Sequence, residues 1–141
     1  MTGHDPYRLQ RFVEAQDPLI DRVRAELRRG RKSSHWMWFV FPQISGLGSS
    51  PTAREYAISS LDEARAYLAH PVLGPRLLEA AELVVAVEGR SAAEVFGSPD
   101  DLKLRSSMTL FTRAAPDVPV FAEVLERFFG GTPDPRTLER I

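Results

Sequence analysis

The sequence predicts an all-α protein, and three observations carry that prediction. Helix-cap signals recur along the whole chain: Asp5-Pro6, Ser50-Pro51, Ser60 with Glu63, Ser91 with Glu94, Ser98 with Asp101, and Asp134-Pro135. A short polar side chain before a helix accepts the orphan N–H groups of its first turn. A glutamate three residues on returns the bond, and proline is tolerated at the first helical position. Between the caps, apolar residues recur every three or four positions. No hairpin signal interrupts them, and the one strand-like run lacks a convincing partner. The expectation is a compact multi-helical domain, residues 1–141, of about seven helices with one aromatic-rich buried segment.

The elements follow in order. Asp5-Pro6 opens a helix that places Leu9, Phe12 and Val13 on one face, and Asp17-Pro18 interrupts it. The pattern resumes through Leu19, Ile20, Val23 and Leu27, and stops at Gly30 after two arginines that suit the negative end of the helix dipole. Trp36-Met37-Trp38-Phe39-Val40-Phe41 reads as a buried short helix or extended passage. Pro42 and Gly46-Leu47-Gly48-Ser49-Ser50 form a loop, and Ser50 caps a short helix from Pro51. Ser60 and Glu63 open the next helix, which His70-Pro71 ends; a longer one runs from Gly74-Pro75 to Glu88. Ser91 with Glu94, and Ser98 with Asp101, open two more, the second passing through Leu102, Met108, Leu110 and Phe111. An amphipathic helix over residues 120–129 stops at Gly130-Gly131, and Asp134-Pro135 starts a last turn.

Composition bounds the function. Hydrophobic residues make up 43% and charged residues 26%, which argues for a packed globule and against disorder. A net charge of −1 gives no global pull toward nucleic acid or an anionic membrane. The absence of cysteine removes disulfides, thiolate nucleophiles and cysteine metal sites, and is compatible with a reducing cytoplasm. Charges interrupt the first thirty residues throughout, so no signal peptide is expected. The longest apolar run, residues 36–41, is too short to span a bilayer. The expectation is a soluble cytoplasmic protein.

Chemistry-bearing motifs are sparse. His4, His35 and His70 have no ligand-spaced partner, so neither a metal nor a cofactor is expected. Gly-x-Ser-x-Gly is absent, and so is a phosphate-binding Gly-Lys-Ser/Thr loop. Gly46-x-Gly48 before a helix start reads first as a capped turn, and second as a place where free N–H groups face an anion. The aromatic run holds four of the thirteen aromatics. Large aromatics fill cores, yet polar Lys32, His35 and Gln43 flank these. Such a mixture also suits a pocket where a ring stacks and polar groups read its edges. Asp100, Lys103, Arg105, Ser106, Ser107 and Thr109 form a second polar cluster, read first as a solvated helix face. Polar groups embedded among core residues need one another. His35 and Trp36 or Trp38 are therefore expected to lie beside Asp100, Lys103 or residues 106–109.

Longer stretches resemble a known bacterial family. Arg11-Phe12-Val13-x-Ala15-Gln16, the run from Lys32 through Gln43, Gly46-Leu47-Gly48-Ser49-Ser50, residues 63–77, and Phe96-Gly97-x-x-Asp100-x-x-Lys103-Leu104-x-Ser106-Ser107-Met108-Thr109-Leu110-Phe111 are similar to the family catalogued as domain of unknown function 1810. The resemblance spans nearly the whole chain and implies a compact helical domain with no established activity. Some relatives are called calpastatin, but calpastatin inhibitory segments are disordered, whereas this composition packs. At the level of fold alone the family is similar to helical N-glycosidases of ADP-ribose and nucleotide metabolism. That analogy would have Asp100 orient water or stabilise positive sugar charge, Arg76 or Lys103 bind phosphate, and a tryptophan stack on the base.

Two functions follow as expectations. One is a small-molecule site of nucleotide or sugar-phosphate type, binding or catalytic. It would use Lys32, His35, Trp36, Trp38, Gln43, Gly46, Gly48, His70, Arg76 and Lys103, with His35 and Asp100 the catalytic candidates. A phosphate there is expected at the turn of residues 46–50 or at Arg76, rather than at residues 28–31, whose exposed arginines lose rotamer freedom on binding. The alternative is a non-enzymatic protein-interaction module.

Overall fold

Proline and glycine set the corners of the chain. In the computed structural model, which describes residues 4–141, Asp17-Pro18 separates α1 (Gln10–Gln16) from α2 (Ile20–Arg28). Asp5 caps α1 from a distance, its carboxylate accepting the Leu9 and Gln10 N–H groups at 2.8 and 3.1 Å. α2 ends before Gly30, whose φ of +71° admits no side chain without strain. The aromatic run becomes a one-turn helix, α3 (Met37–Val40). α4 (Pro51–Glu55) follows the glycine turn, with Ser50 Oγ accepting the Ala53 N–H at 3.1 Å. The remaining helices are α5 (Leu61–Ala69), α6 (Leu73–Val85), α7 (Ala92–Phe96), α8 (Asp100–Ala114), α9 (Pro119–Phe129) and α10 (Pro135–Leu138). Extended pairing among the described residues amounts to one isolated parallel bridge between Ile44 and Ile58.

Among the described residues the count is ten helices rather than about seven. The four shortest, α3, α4, α7 and α10, have only four or five residues each. Their caps or composition mark them in the sequence, but none is long enough for a 3.6-residue period to repeat and be counted as a full helix. Three caps also differ from expectation. Leu9, not Asp5, holds the N-cap of α1, and Pro6 lies in a turn before the helix. Ser98 does not cap α8: Pro99 occupies the N-cap, so Ser98 stands one residue too early, and Asp101 Oδ1 is buried without a partner. Ser60 accepts the Glu63 N–H at 3.1 Å, but the Glu63 carboxylate turns to the Ser59 N–H and hydroxyl at 2.9 and 2.7 Å instead of returning the bond. At α7 the Ser91–Glu94 capping box forms in full.

α8 is the axis of the packing. Residues 106–111 on it are all buried, which a helix tolerates only when neighbours cover every side. α5, α7, α9 and α10 pack around it, and α6 closes against α2, α5 and α9. Among the polar residues of this inner helix, Asp101 Oδ1, Ser107 Oγ and Thr112 Oγ1 are buried without a partner, while Ser106 and Thr109 are satisfied. Thr109 Oγ1 donates to the Arg105 carbonyl at 2.8 Å, and Ser106 Oγ bonds the Leu102 carbonyl and Asp134 at 3.1 and 2.8 Å.

Candidate functional site

The site is built on α3, a helix too short to hold itself and therefore pinned from both ends. At its start, Trp36 is fully buried and its indole N–H donates to Glu26 Oε1 at 2.9 Å. The same carboxylate accepts the Ser33 and Ser34 N–H groups at 2.8 and 3.0 Å and the Ser34 hydroxyl at 2.6 Å. Burial alone would raise the Glu26 pKa. These hydrogen bonds outweigh it and hold the group near 2, against an ordinary 4.5. At the other end, buried Gln16 donates to the Phe39 carbonyl at 2.6 Å and to the Tyr67 hydroxyl at 3.0 Å. Met37, Phe39, Val40 and Phe41 enter the core, and Trp38 stays half-buried on the outer face of the turn.

Trp38 lies between two connected hollows. The smaller, of about 100 Å³, is walled by Gln43, the glycine turn and Tyr56. The larger is a groove of about 510 Å³ running from Trp38 and Gln43 across residues 47–50 to α8 and α10. Lys103, Arg105 and Arg136 line the groove against a single carboxylate, Asp134. Burial would raise the pKa of Asp134; hydrogen bonds from Thr137 and Ser106 prevail and lower it, so the groove's one acid is held charged by its own partners. Arg105 donates to the Thr132 and Pro133 carbonyls at 3.0 and 2.7 Å, which fixes its charge at the groove wall. Leu102, 55% exposed, stands at the rim.

Behind the groove lies a charge relay of three side chains. Lys32 Nζ is 2.8 Å from Asp100 Oδ2, and Lys103 Nζ is 3.5 Å from Asp100 Oδ1. Each ammonium also sits 5.0 Å from a tryptophan ring centre, Lys32 at Trp36 and Lys103 at Trp38. The glycine turn supplies the opposite wall. Gly46 has φ +94°, and a Cβ on Gly48 would lie 2.7 Å from that of Ala53, so both positions favour glycine. The N–H groups of residues 46–49 donate to no acceptor among the described residues.

The structure therefore brings together Trp38, Gln43, Gly46, Gly48 and Lys103 around the hollows, with Lys32 and Asp100 directly behind. It places the other sequence candidates elsewhere. His35 is exposed and lines neither hollow, and Trp36 is core. His70 accepts the Val72 and Leu73 N–H groups on Nδ1 at 3.1 and 3.2 Å, which holds the α5–α6 corner. Arg76 pairs with Asp17 at 2.9 Å and Gln16 at 3.3 Å. Arg105, Arg136 and Leu102 complete the groove and were not among the sequence candidates. Arg136 lies in the single turn of α10, and no local sequence signal sets it apart. Among the described residues, no three His, Asp or Glu side chains gather as metal ligands, and no helix is long and apolar enough to cross a membrane.

The family described as "Protein of unknown function (DUF1810)" matches residues 6–141. A crystal structure of the conserved hypothetical protein Rv1873 from Mycobacterium tuberculosis is 58% identical, covers 96% of each chain and superposes with a TM-score of 0.95. No protein of curated function matches the chain.

Proposed function

The chain belongs to the DUF1810 family of proteins of unknown function, a membership that carries no activity, and from the groove itself we propose that it binds a phosphate-bearing small molecule of nucleotide or sugar-phosphate type. One observation carries the reading: a half-buried tryptophan floors a groove lined by three cations and one carboxylate. The protein as a whole has a net charge of −1, so this excess is local. The amides of residues 47–49, on the groove wall, have no acceptor among the described residues and so remain available as donors. The groove supports binding and offers no group for a bond-making step. Asp100 is committed to two lysines, and His35 lies outside the groove.

A protein-interaction module is the second reading, and exposed Leu102 is the observation behind it. A single exposed leucine is ordinary on protein surfaces, so the groove carries the first reading further. The test is thermal unfolding with AMP, ADP-ribose and ribose 5-phosphate. A ligand at about a hundred times its Kd stabilises the native state by about 2.7 kcal/mol, a rise of several degrees in midpoint for a chain of this size. Arg136→Ser should lose most of that rise. No rise with any of the three, or an equal rise in Arg136→Ser, would overturn the reading.

A further inference from the structure

Lys103 is the loosely held member of the charge relay, and this inference about it rests on the binding reading above. Lys32 has an Asp100 oxygen at 2.8 Å, donates to the Ser34 carbonyl at 2.6 Å and is 7% exposed. It neutralises the carboxylate. Lys103, 24% exposed, keeps only the long 3.5 Å contact to that carboxylate and a place over the Trp38 ring. A cation on an indole face near solvent is held by a factor of only a few in equilibrium constant, and a lysine stem is flexible. Lys103 and Trp38 line the same groove.

We infer that Lys103 is a latch on Trp38: an entering anion draws the ammonium off the indole face, and the face so uncovered takes a flat ring. The site then selects compact molecules that join a planar ring to an anionic group. A neutral ring has to displace the cation toward Asp100, a carboxylate that Lys32 already neutralises, and brings no charge of its own to receive it. An anion without a ring takes the cation but leaves the indole in water. A molecule with both satisfies the two groups at once, and the Gln43 amide on the same wall offers a donor and an acceptor to the ring edge.

Calorimetric titration of AMP, adenosine and ribose 5-phosphate against wild type, Lys103→Met and Lys103→Arg tests the latch. Wild type should bind AMP more tightly than either half. Lys103→Met should weaken AMP and ribose 5-phosphate yet tighten adenosine about two- to fivefold, because no cation then covers the ring face. Lys103→Arg should restore the preference for AMP. The fluorescence change on AMP binding should vanish in Trp38→Phe, which leaves only the buried Trp36. Ribose 5-phosphate binding wild type as tightly as AMP, or adenosine weakening in Lys103→Met, overturns the latch while leaving the binding reading intact. Silence of wild type toward all three probes overturns the latch, and silence toward ADP-ribose as well overturns the binding reading with it.

Discussion

Glu26 shows how one residue sets the site without touching it. It is 2% exposed, and its carboxylate gathers Ser33, Ser34 and Trp36, the residues that lead into α3. Its folded pKa is depressed to about 2 from an ordinary 4.5. The stability it contributes is therefore present above about pH 4.5 and is lost as pH falls toward 2. A depression of that size amounts to about 3 kcal/mol. Urea midpoints of wild type should drop across this window, and those of Glu26→Gln should start lower and drop less. Parallel curves would show that the carboxylate charge is not what holds the segment. The sequence hinted at this only weakly. Glu26 lies three residues after Val23 and one before Leu27, on the buried side of α2, but a glutamate in a polar helix ordinarily faces water.

Arg11 does at the scale of elements what Glu26 does for one segment. Its guanidinium donates to the Glu55 and Ala57 carbonyls at 2.8 and 3.0 Å and to the Glu63 carboxylate at 3.1 Å, and it packs on Phe12. It so ties α1 to the passage between α4 and α5. The Arg11 and Glu63 side chains are 11% and 4% exposed. Removing one partner of a buried pair strands the other charge, a loss of about 3–5 kcal/mol. Arg11→Met should lower the unfolding free energy by that order, and adding Glu63→Gln should recover part of it. A double variant less stable by the sum of the two single losses would show that the residues do not act as a pair. The Ser60–Glu63 motif was legible as a cap, yet its reciprocal half failed because Glu63 had this stronger partner 52 residues away. Local caps such as Ser91 with Glu94 needed nothing distant, and they formed as the sequence implied.

Across the whole molecule, the helical class was legible because each of the longer helices carries its own period and its own stop. The aromatic run was legible as partly core from its composition, but Trp36, expected at the ligand site, is core as well. The groove was not, since its walls come from α3, the glycine turn, α8 and α10, which meet only through packing around α8. That assembly divides stability unevenly. The passage from residue 43 to residue 60 contains only the five-residue α4, and it is anchored by the Ser45 N–H to Ile58 and the Ile58 N–H to Gln43, both at 2.8 Å. Between these anchors the amides of residues 46–49 have no protein acceptor among the described residues. Opening free energies span from near zero in such loops to the global value in packed helices. Amide hydrogen exchange should therefore place residues 46–49 among the fastest, Ser45 and Ile58 well slower, and the inner turns of α8 slowest of all. Saturating AMP should slow residues 46–49 by direct contact if the turn's amides receive the phosphate, and slow the inner turns of α8 only by the overall stabilisation that binding confers. Slow exchange of the turn in the free protein would mean that those donors are already occupied, and the turn would then lose its part in the groove.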